Sequence, residues 1–460
     1  MERLEKLYMR RFGCRPTSYM PLTGSGSGRR YCRLGSEAGT SIGCIGVSRQ
    51  ENDCFIMIDR VLAKAGVKVP EIYGVSADGM AYLQQDLGNQ PLFSMLADSA
   101  ASEFVEETLK SLVKVQRTGG LEGRLPVMDM DLYLADMRYF QYCFLKPAGI
   151  VADDVALERD FQKFSRKMIE EQPVGNMYRD CQSRNVMIHG GHPWWIDFQS
   201  MRTGPVLYDV ASFLWQARAG FSAEFRKKMA DMYIREYNAA AGEASVSAGL
   251  LDDMVLFRTL QVLGAYGLRG LTERKSHFIE SIPAALDNVH ALLRNGAADG
   301  YPALKAALEA AAELERFRKD AGDGRLTVRV FSFSYKLGYP EDLTGNGGGF
   351  MFDCRALHNP GRYDRFKPLT GRDLPVIGFL EERGEIQPFL KSAWDMTDPA
   401  IERYVKRGFS SLQIGFGCTG GRHRSVYSAE RTAHHIARKY GDDVRVVLEH
   451  REQGIMEVLS

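Results

Sequence analysis

The sequence predicts a chain of α/β and α+β structure with two folded parts, and three stretches of pattern lead to this prediction. Residues 1–90 alternate short strands and glycine loops around one helix, residues 91–295 are mainly helical in periodicity, and residues 326–460 alternate strands with helices. The first two stretches predict one bilobal domain over residues 1–296, with a small sheet lobe and a larger helical lobe. The third predicts a separate α/β domain with a parallel sheet. Residues 297–325, rich in Ala, Glu, Lys and Arg, predict a helical linker.

Length and composition are those of a globular protein. The chain has 460 residues, of which 45% are apolar and 25% charged, and its formal net charge is +1. This length predicts about two or three domains. A net charge this small excludes a chain-wide basic field for nucleic acid, so RNA binding would need a local patch. The eight Cys form no C-x-x-C pair or zinc-type cluster, which argues against a disulfide framework and a structural metal.

The N-terminus carries no targeting signal of the secretory type. The first 19 residues are charged and lack the apolar centre of a signal peptide. No run of the chain approaches the ~20 apolar residues that span a membrane. We therefore expect a cytoplasmic protein with no membrane partner.

In the sheet lobe, strands are predicted at residues 30–34, 41–46 and 81–85, and a helix at residues 52–65. A glycine loop, residues 23–28, precedes the first of these strands. Its glycines would let backbone N–H groups approach triphosphate oxygens without a Cβ in the way. A flexible turn is the alternative, but the position of the loop in a sheet lobe favours phosphate binding.

The helical lobe is interrupted by a predicted hairpin, with strands at residues 185–188 and 194–196. Asp180 precedes it, Asn185 begins its first strand and Asp197 follows it. Kinase-like sites use a catalytic-loop Asp to orient the acceptor hydroxyl, and an Asn and an Asp to hold Mg²⁺. The spacing therefore predicts Asp180 as the catalytic residue and Asn185 and Asp197 as metal ligands. Solvated, turn-forming carboxylates are the alternative, which the combined spacing disfavours.

The second domain follows a predicted helix and a glycine-rich boundary. The helix is predicted at residues 302–319 and the boundary at residues 321–324. The predicted elements of the domain are strands at residues 326–334, 351–352 and 412–416, a glycine loop at residues 345–349, and helices at residues 385–394 and 425–438.

A basic, glycine-containing segment joins the last of these strands to the last helix, and we name it the anion loop. Its members are Cys418, Thr419, Gly420, Gly421, Arg422, His423, Arg424 and Ser425. Glycines free the backbone N–H groups at a helix start, and basic side chains add donors suited to phosphate. Three interpretations stay open: a solvated loop, a phosphate-binding site, and a nucleophilic thiolate that attacks a phosphate monoester. Asp353 is a candidate general acid for the third, and phosphate binding is favoured.

Residues 355–371 interleave basic and aromatic side chains. Such interleaving suits RNA phosphates and stacked bases. A charged surface loop is an equal alternative. RNA is therefore a candidate partner of the second domain.

The first domain resembles the aminoglycoside phosphotransferase family of small-molecule kinases. The resemblance covers residues 15–295 and is carried by residues 22–31, residues 82–88, the hairpin and residues 204–212. Within the family, the chain is most similar to the anomeric kinases of N-acetylmuramate and N-acetylglucosamine, amino sugars of cell-wall (peptidoglycan) recycling. The resemblance implies a bilobal kinase-like fold, ATP and Mg²⁺ as cofactors, and a sugar hydroxyl as acceptor. It places the nucleotide on Gly24, Ser25, Gly26, Ser27, Gly28, Arg30, Gln85 and Leu87.

Two positions depart from that family. Tyr178 stands where many relatives have His, and the third strand lacks the Lys with which kinases pair the phosphates. Arg29, Arg30 or the amides of the glycine loop are candidate substitutes. Because Asn185 and Asp197 are both present, we expect an active kinase and not a pseudokinase.

The second domain is similar to the C-terminal domain of the RapZ family. The similarity covers residues 326–453 and is carried by residues 332–338, 352–355, 359–360, 368–371, 417–425 and 450–451. In that family the domain is regulatory, binds RNA and senses glucosamine-6-phosphate, next to a nucleotide-binding domain of Walker type. This chain contains no G-x-x-x-x-G-K-[ST] motif, so a different kinase takes that place.

The two resemblances together suggest an amino-sugar kinase whose second domain binds a phosphorylated amino sugar. Two alternatives stay open. One is an RNA-binding, metabolite-sensing regulator whose kinase-like half only binds nucleotide, and the other is a Cys-dependent phosphatase in the second domain. The sequence leaves the oligomeric state open, including a homo-oligomer.

Overall fold

The computed structural model describes residues 1–22, 28–96, 98, 101–240, 245–273, 275–314, 317, 325–339 and 349–459. The chain divides into two compact units, the first formed by Met1–Glu273 and Ser281–Leu314 and the second by Arg274–Glu280 and Glu315–Ser460. Each unit contains its own five-stranded sheet.

The sheet lobe of the first unit is antiparallel. Its elements are α1 (Glu2–Phe12), β1 (Ser18–Leu22), β2 (Arg30–Ser36), β3 (Gly39–Ile45), α2 (Arg49–Lys64), β4 (Ile72–Val75) and β5 (Ala81–Gln85). The strand order is β1-β2-β3-β5-β4. Leu4, Leu7 and Tyr8 of α1 pack against Leu34 and Leu83 of the sheet. The predicted strands correspond to β2, β3 and β5, and the predicted helix to α2.

Helix α2 is fixed to the sheet at its start and through its buried face. The Ser48 side chain accepts a hydrogen bond from the Glu51 N–H (3.2 Å) and caps the helix. One turn later, the buried Phe55 ring stacks on Tyr82 of β5, with ring centroids 5.1 Å apart. The face of α2 that carries Phe55 is therefore held next to the central strands.

The helical lobe of the first unit follows. The helices, in chain order, are α3 (Ala101–Arg117), α4 (Met130–Phe140), α5 (Asp154–Glu171), α6 (Leu207–Leu214), α7 (Ala223–Ala240), α8 (Ala248–Tyr266), α9 (Ser276–Ile279), α10 (Ile282–Arg294) and α11 (Pro302–Ala312), of which α9 lies in the second unit. Two short antiparallel pairs lie among them, β6 (Val174–Met177) with β9 (Arg202–Pro205) and β7 (Val186–His189) with β8 (His192–Trp195). The second pair is the predicted hairpin.

Helix α11 belongs to the first unit, although the sequence places residues 297–325 in a linker. The Asp160 carboxylate of α5 accepts hydrogen bonds from the N–H groups of Ala303 (2.7 Å) and Leu304 (3.0 Å). The helix ends at Ala312, seven residues before the predicted end. Its first turn and apolar side are thus part of the helical core, which sequence periodicity alone does not reveal.

The second unit is an α/β domain. Its main elements are β10 (Leu326–Ser334), β11 (Phe350–Asp353), α12 (Leu374–Glu382), α13 (Ile386–Lys406), β12 (Ser411–Cys418), α14 (Arg424–Tyr440), β13 (Val444–His450) and β14 (Ile455–Leu459). The strand order is β11-β12-β10-β13-β14, parallel except for the last, antiparallel pair. The predicted parallel sheet is confirmed, while β13, β14 and α12 are absent from the prediction. Residues 345–348 of the predicted glycine loop lie outside the described residues.

Within the described part of the chain, no helix combines the length and the apolar character needed to cross a membrane.

Candidate active site and anion loop

The hairpin brings its two flanking segments together. Val186 pairs with Trp195, and the turn at Gly190 and Gly191 uses positive φ angles of 59° and 77°. Beyond the paired strands, the Ile196 N–H donates a hydrogen bond to the carbonyl oxygen of Asn185, the residue before β7 (3.1 Å). The residues just before β7 and just after β8 therefore lie side by side.

The three predicted catalytic and metal-binding residues meet at this end of the hairpin. Asn185 is 5% exposed, and its Nδ2 donates to the Asp180 carbonyl oxygen (2.9 Å). This bond leaves Oδ1 of Asn185 as the oxygen available to a ligand. Asp197 follows β8, and its Oδ1 accepts a hydrogen bond from Gln199 Nε2 (2.8 Å). The structure thus brings Asp180, Asn185 and Asp197 into one cluster.

Backbone strain marks the same cluster. Among the described residues, Arg179 (φ 75°) and Asp197 (φ 68°) are the only non-glycine residues with positive φ. Such conformations cost about 1 kcal/mol or more, and they persist where surrounding contacts enforce them. Arg179 directly precedes Asp180, and Asp197 is itself one of the three predicted site residues.

Asp209 of α6 holds the loop that carries Asp180. Its carboxylate is fully buried and accepts hydrogen bonds from the N–H groups of Tyr178 (2.7 Å) and Arg179 (2.9 Å) and from Gln116 Nε2 (2.9 Å). Burial raises the pKa of Asp209 to about 7, against the opposing effect of these hydrogen bonds. The carboxylate therefore fixes the backbone at the strained residue before Asp180.

Two further contacts fix the loop. The Arg179 guanidinium pairs with Asp136 of α4 at 2.6 Å. The buried Tyr178 hydroxyl donates to the Ile196 carbonyl oxygen, which joins the Asp180 loop to the segment leading to Asp197. Tyr178 therefore makes a structural link at the position where the resembled family has His.

The predicted nucleotide-binding residues fall into three groups. Gly24, Ser25, Gly26 and Ser27 lie outside the described residues. Gly28 and Arg30 are exposed at the start of β2. A Cβ on Gly28 would lie 2.7 Å from Val47 Cγ1, so the chain passes close to the end of β3 there.

The remaining two predicted nucleotide contacts lie at the end of β5. The Gln85 side-chain oxygen accepts a hydrogen bond from the Glu71 N–H (3.2 Å), so this side chain braces β4 against β5. Leu87 is buried two residues later.

The cluster suits Mg²⁺ in ligand type. Asn185 Oδ1 and the Asp197 carboxylate are hard oxygen donors, which Mg²⁺ prefers. No group of three His, Cys, Asp or Glu side chains in the described ranges could hold a metal by itself. A metal here would complete its shell with phosphate oxygens and water, as is usual for Mg²⁺ at phosphate sites.

In the second unit, the anion loop connects β12 to α14. β12 is a central strand paired in parallel with β10, with Ser334 opposite Cys418. Gly421 has a φ of 62°, and a Cβ on it would lie 2.3 Å from Glu452 Oε2. A glycine is thus required there by both conformation and space. Thr419 and Gly420, in contrast, are exposed.

Most donors of the basic side chains of the loop are used within the protein, but the buried Nε of Arg424 has no hydrogen-bond partner among the described residues. Arg422 donates to the carbonyl oxygens of Pro368 and Leu369, His423 Nε2 lies 2.9 Å from the Phe366 carbonyl oxygen, and Arg424 Nη1 donates to the carbonyl oxygens of Arg355 and Leu357. His423 and Arg424 are buried. These side chains hold the basic, aromatic stretch 355–371 against the loop. The sequence predicts a different use, in which the same side chains donate hydrogen bonds to a phosphate.

Backbone N–H groups of the loop also stay available to an anion. In the described parts of the chain, the N–H groups of residues 419–423 donate to no main-chain oxygen. They lie at the N-terminus of the 17-residue helix α14, where the helix dipole adds a positive partial charge.

Cys418 lies at the base of the loop. Its Sγ is 3.1 Å from Ser425 Oγ. Burial raises the pKa of this thiol, but hydrogen bonds from the Ser425 hydroxyl and from the N–H groups of Ser425 and Arg422 outweigh burial and lower it.

Asp353 ends β11, the strand that lies next to β12. It pairs in the β11–β12 register with Gly417, the residue before Cys418. The Arg355 guanidinium, 2.6 Å away, lowers the pKa of Asp353.

Asp209, Gln116 and Asp136 have no assigned role in the sequence prediction. The available signal is Asp209 itself, a carboxylate inside the apolar run of residues 206–211. Such a position predicts a buried, fully hydrogen-bonded carboxylate, but its partners come from distant segments.

Comparison with known families identifies both parts of the chain. Residues 29–245 match the phosphotransferase enzyme family, described as APH, and residues 326–454 match the RapZ C-terminal domain.

Individual relatives cover only part of the chain. A nucleotide-binding protein of Geobacillus kaustophilus is 37% identical over 139 residues, which is 30% of this chain and 43% of that protein. A nucleotide-binding protein of Xanthomonas euvesicatoria pv. vesicatoria is 41% identical over 129 residues, 28% of this chain and 43% of that protein. The chain thus spans less than half the length of these curated relatives.

Two solved structures are similar to this chain at low identity. The choline kinase LicA of Streptococcus pneumoniae is 10% identical, with 63% of this chain and 99% of that chain covered and a TM-score of 0.45. The AMP-bound spectinomycin phosphotransferase APH(9)-Ia is 12% identical, with coverages of 61% and 93% and a TM-score of 0.45.

Proposed function

We propose that this chain is an ATP- and Mg²⁺-dependent kinase that phosphorylates a hydroxyl group of a small molecule. Its residues 29–245 match the phosphotransferase enzyme family, and residues 326–454 match the RapZ C-terminal domain. The acceptor of the phosphoryl group is a sugar, more specifically an amino sugar of cell-wall recycling such as N-acetylmuramate or N-acetylglucosamine. The second domain binds a phosphorylated amino sugar at the anion loop.

The meeting of Asp180, Asn185 and Asp197 at one end of the hairpin carries the kinase proposal. Asn185 Oδ1 and the Asp197 carboxylate would hold Mg²⁺, which offsets phosphate charge when bound. Asp180 lies on a loop fixed by the buried Asp209, and its carboxylate accepts the proton of the sugar hydroxyl and orients that hydroxyl. Fixed geometry of this kind is what phosphoryl transfer requires of a protein, because the chemistry is mainly positioning and charge stabilisation.

The second domain supports the choice of a sugar acceptor. The N–H groups of residues 419–421 and 423, which donate to no main-chain oxygen among the described residues, and the start of α14 suit a phosphate group. A kinase joined to a domain for a phosphorylated amino sugar would let that domain bind the product or a related metabolite.

The same observations favour binding over hydrolysis at the anion loop. A cysteine phosphatase needs an Arg whose guanidinium can bind the phosphate, and an acid that protonates the leaving oxygen. Here Arg424 Nη1 is engaged by two carbonyl oxygens, and Arg355 lowers the pKa of Asp353, which keeps that carboxyl ionised. The lowered pKa of Cys418 and the unpartnered Nε of Arg424 are the features that favour a phosphatase.

The test is turnover on a panel of amino sugars with ATP and Mg²⁺. We expect phosphorylation of at least one sugar, and a fall of about 10²–10⁴-fold in kcat for Asp180→Asn. Asp197→Ala should abolish turnover. Asp131→Asn, which changes an exposed carboxylate on α4, is the matched control, and its turnover should equal that of the unmodified chain. Nucleotide binding without turnover of any sugar would support the regulator alternative instead.

A further inference from the structure

The kinase-like site lacks its usual phosphate-binding cation. In protein kinases a Lys on the third strand contacts the nucleotide phosphates and pairs with a Glu on the neighbouring helix. Here β3, Gly39–Ile45, contains no Lys. Glu51 is nevertheless present in the first turn of α2, so the helix still provides a carboxylate that could orient a cation.

A buried guanidinium faces that carboxylate. Arg29, directly before β2, is 3% exposed, and its Nη2 lies 2.9 Å from Glu51 Oε1. Its guanidinium also lies over the Phe55 ring, 5.7 Å from the centroid. Burial lowers the pKa of Arg29, but Tyr31, Tyr82 and Glu51 raise it more, so the side chain stays cationic.

Arg29 keeps donors that the protein does not use. Its Nε and Nη1 are buried and have no hydrogen-bond partner among the residues that the structure describes. A buried, unpaired donor costs roughly 1–3 kcal/mol, and more on a charged group. A planar guanidinium with free donors matches two phosphate oxygens. Arg30, in contrast, is exposed on β2.

The unused donors lie near the proposed metal carboxylate. The Phe55 ring under Arg29 stacks on Phe198, the residue after Asp197, with centroids 4.6 Å apart and planes 3° apart. Burial raises the pKa of Tyr31 to about 12, and both Arg29 and Asp197 act on that hydroxyl. Arg29 and Asp197 therefore both lie near Tyr31 within the first unit.

We propose that Arg29, oriented by Glu51, binds the non-transferred phosphates of the nucleotide in place of the third-strand Lys. The inference rests on the proposed function, because the nucleotide is the phosphoryl donor of that kinase. The cation has moved from β3 to the residue before β2, and its carboxylate partner has stayed on the helix.

The test separates phosphate recognition from binding of the nucleoside. Calorimetry measures ADP with Mg²⁺, and adenosine, on the full chain carrying Arg29→Met, Glu51→Gln or the control Arg49→Met, an exposed arginine of α2. We expect Arg29→Met to weaken ADP binding by about 10- to 100-fold, the loss of a charged hydrogen-bonding group, with adenosine binding unchanged. Glu51→Gln should weaken ADP binding in the same sense by a smaller factor, and Arg49→Met should stay within about twofold of the unmodified chain.

The outcomes distinguish this inference from the proposed function. Equal ADP affinity in a folded Arg29→Met protein would overturn the inference, while sugar turnover would keep the kinase proposal. If ADP affinity depends on Arg29 but no sugar is turned over, the inference stands and the kinase proposal fails. If Arg29→Met does not fold, Glu51→Gln decides, since unchanged ADP affinity in that variant would contradict the assigned pair.

Discussion

At the scale of single residues, two buried thiols of the second unit show how neighbouring donors control acidity. Cys354 and Cys418 are both almost fully buried. Burial raises the pKa of Cys354, and its one side-chain partner is Ser428, at 3.7 Å. The pKa of Cys418 is lowered instead, because the Ser425 hydroxyl and two N–H groups stabilise its thiolate. The backbone of the anion loop therefore already favours a negative charge at its base.

This difference predicts the effect of removing one hydroxyl. Ser425→Ala should raise the pKa of Cys418, because it deletes the hydrogen bond between the Ser425 hydroxyl and the Cys418 thiol (3.1 Å). The measurement is a pH titration of thiolate ultraviolet absorbance, taken as the difference between each protein and its Cys418→Ser version. Ser428→Ala, buried on the same helix, is the control and should leave this titration unchanged. An unaltered Cys418 titration in Ser425→Ala would contradict the account.

The sequence predicts part of the candidate sites at this scale. The spacing of Asp180, Asn185 and Asp197 depends on one local hairpin, which turn residues and strand pattern specify. The use of Arg424 as a clamp on main-chain carbonyl oxygens, and of Asp209 as a support for the Asp180 loop, depends on contacts between distant segments. Those contacts follow from tertiary packing, which residue type and spacing do not encode.

At the scale of elements, helix α2 carries one carboxylate in an ion pair and a second carboxylate whose charged form is disfavoured by burial. Glu51 lies in its first turn beside Arg29. Two turns later Asp59 is 3% exposed, and its Oδ2 has no hydrogen-bond partner within the described residues. Burial raises the pKa of Asp59 to about 7, and the nearby Arg60 only partly opposes this. A raised pKa means that the charged carboxylate is the disfavoured form in the folded state.

Asp59→Asn should therefore stabilise the protein at alkaline pH. The folded state binds the proton of Asp59 up to about pH 7 and the unfolded state only to about pH 4, so the stability that this group contributes falls as pH rises between those values. The variant should gain roughly 1–4 kcal/mol in free energy of unfolding at about pH 8, and less at about pH 5.

Urea unfolding at the two pH values measures this gain. Asp53→Asn, an exposed carboxylate on the same helix, is the control and should change little at either pH. A gain of equal size at both pH values would show that titration of Asp59 is not the cause.

The elements of the two sheets were predictable in proportion to their local pattern. Strands β2, β3, β5, β10 and β12 have buried, β-branched or aromatic runs bounded by turns, and the prediction finds them. Helix α13 continues to Lys406 through Pro399, a residue that usually ends a helix. The β13 strand, residues 444–450, has three consecutive apolar residues between Arg445 and Glu449, and it pairs with β10 in the sheet.

At the scale of the whole molecule, the two units each have their own core and their own proposed ligand. The second unit buries a contiguous apolar cluster that includes residues of β10, β12, β13 and α14. The sheet lobe of the first unit buries another, between α1 and the sheet. A protein of this kind is expected to respond to two ligands through separate sites, with nucleotide acting on one unit and a sugar phosphate on the other.

Calorimetric unfolding of the full chain tests this division. ADP with Mg²⁺ should raise the midpoint of one transition and glucosamine-6-phosphate that of another, since a ligand at about 100 times its Kd adds about 2.7 kcal/mol to the unit that binds it. Gly420→Val should remove the second shift, because a side chain would fill open space above the exposed anion loop. Gly378→Val, also in open space on α12, should retain both shifts. If glucosamine-6-phosphate shifted the transition that ADP shifts, or if Gly420→Val kept its response, the sugar phosphate would not bind at the anion loop.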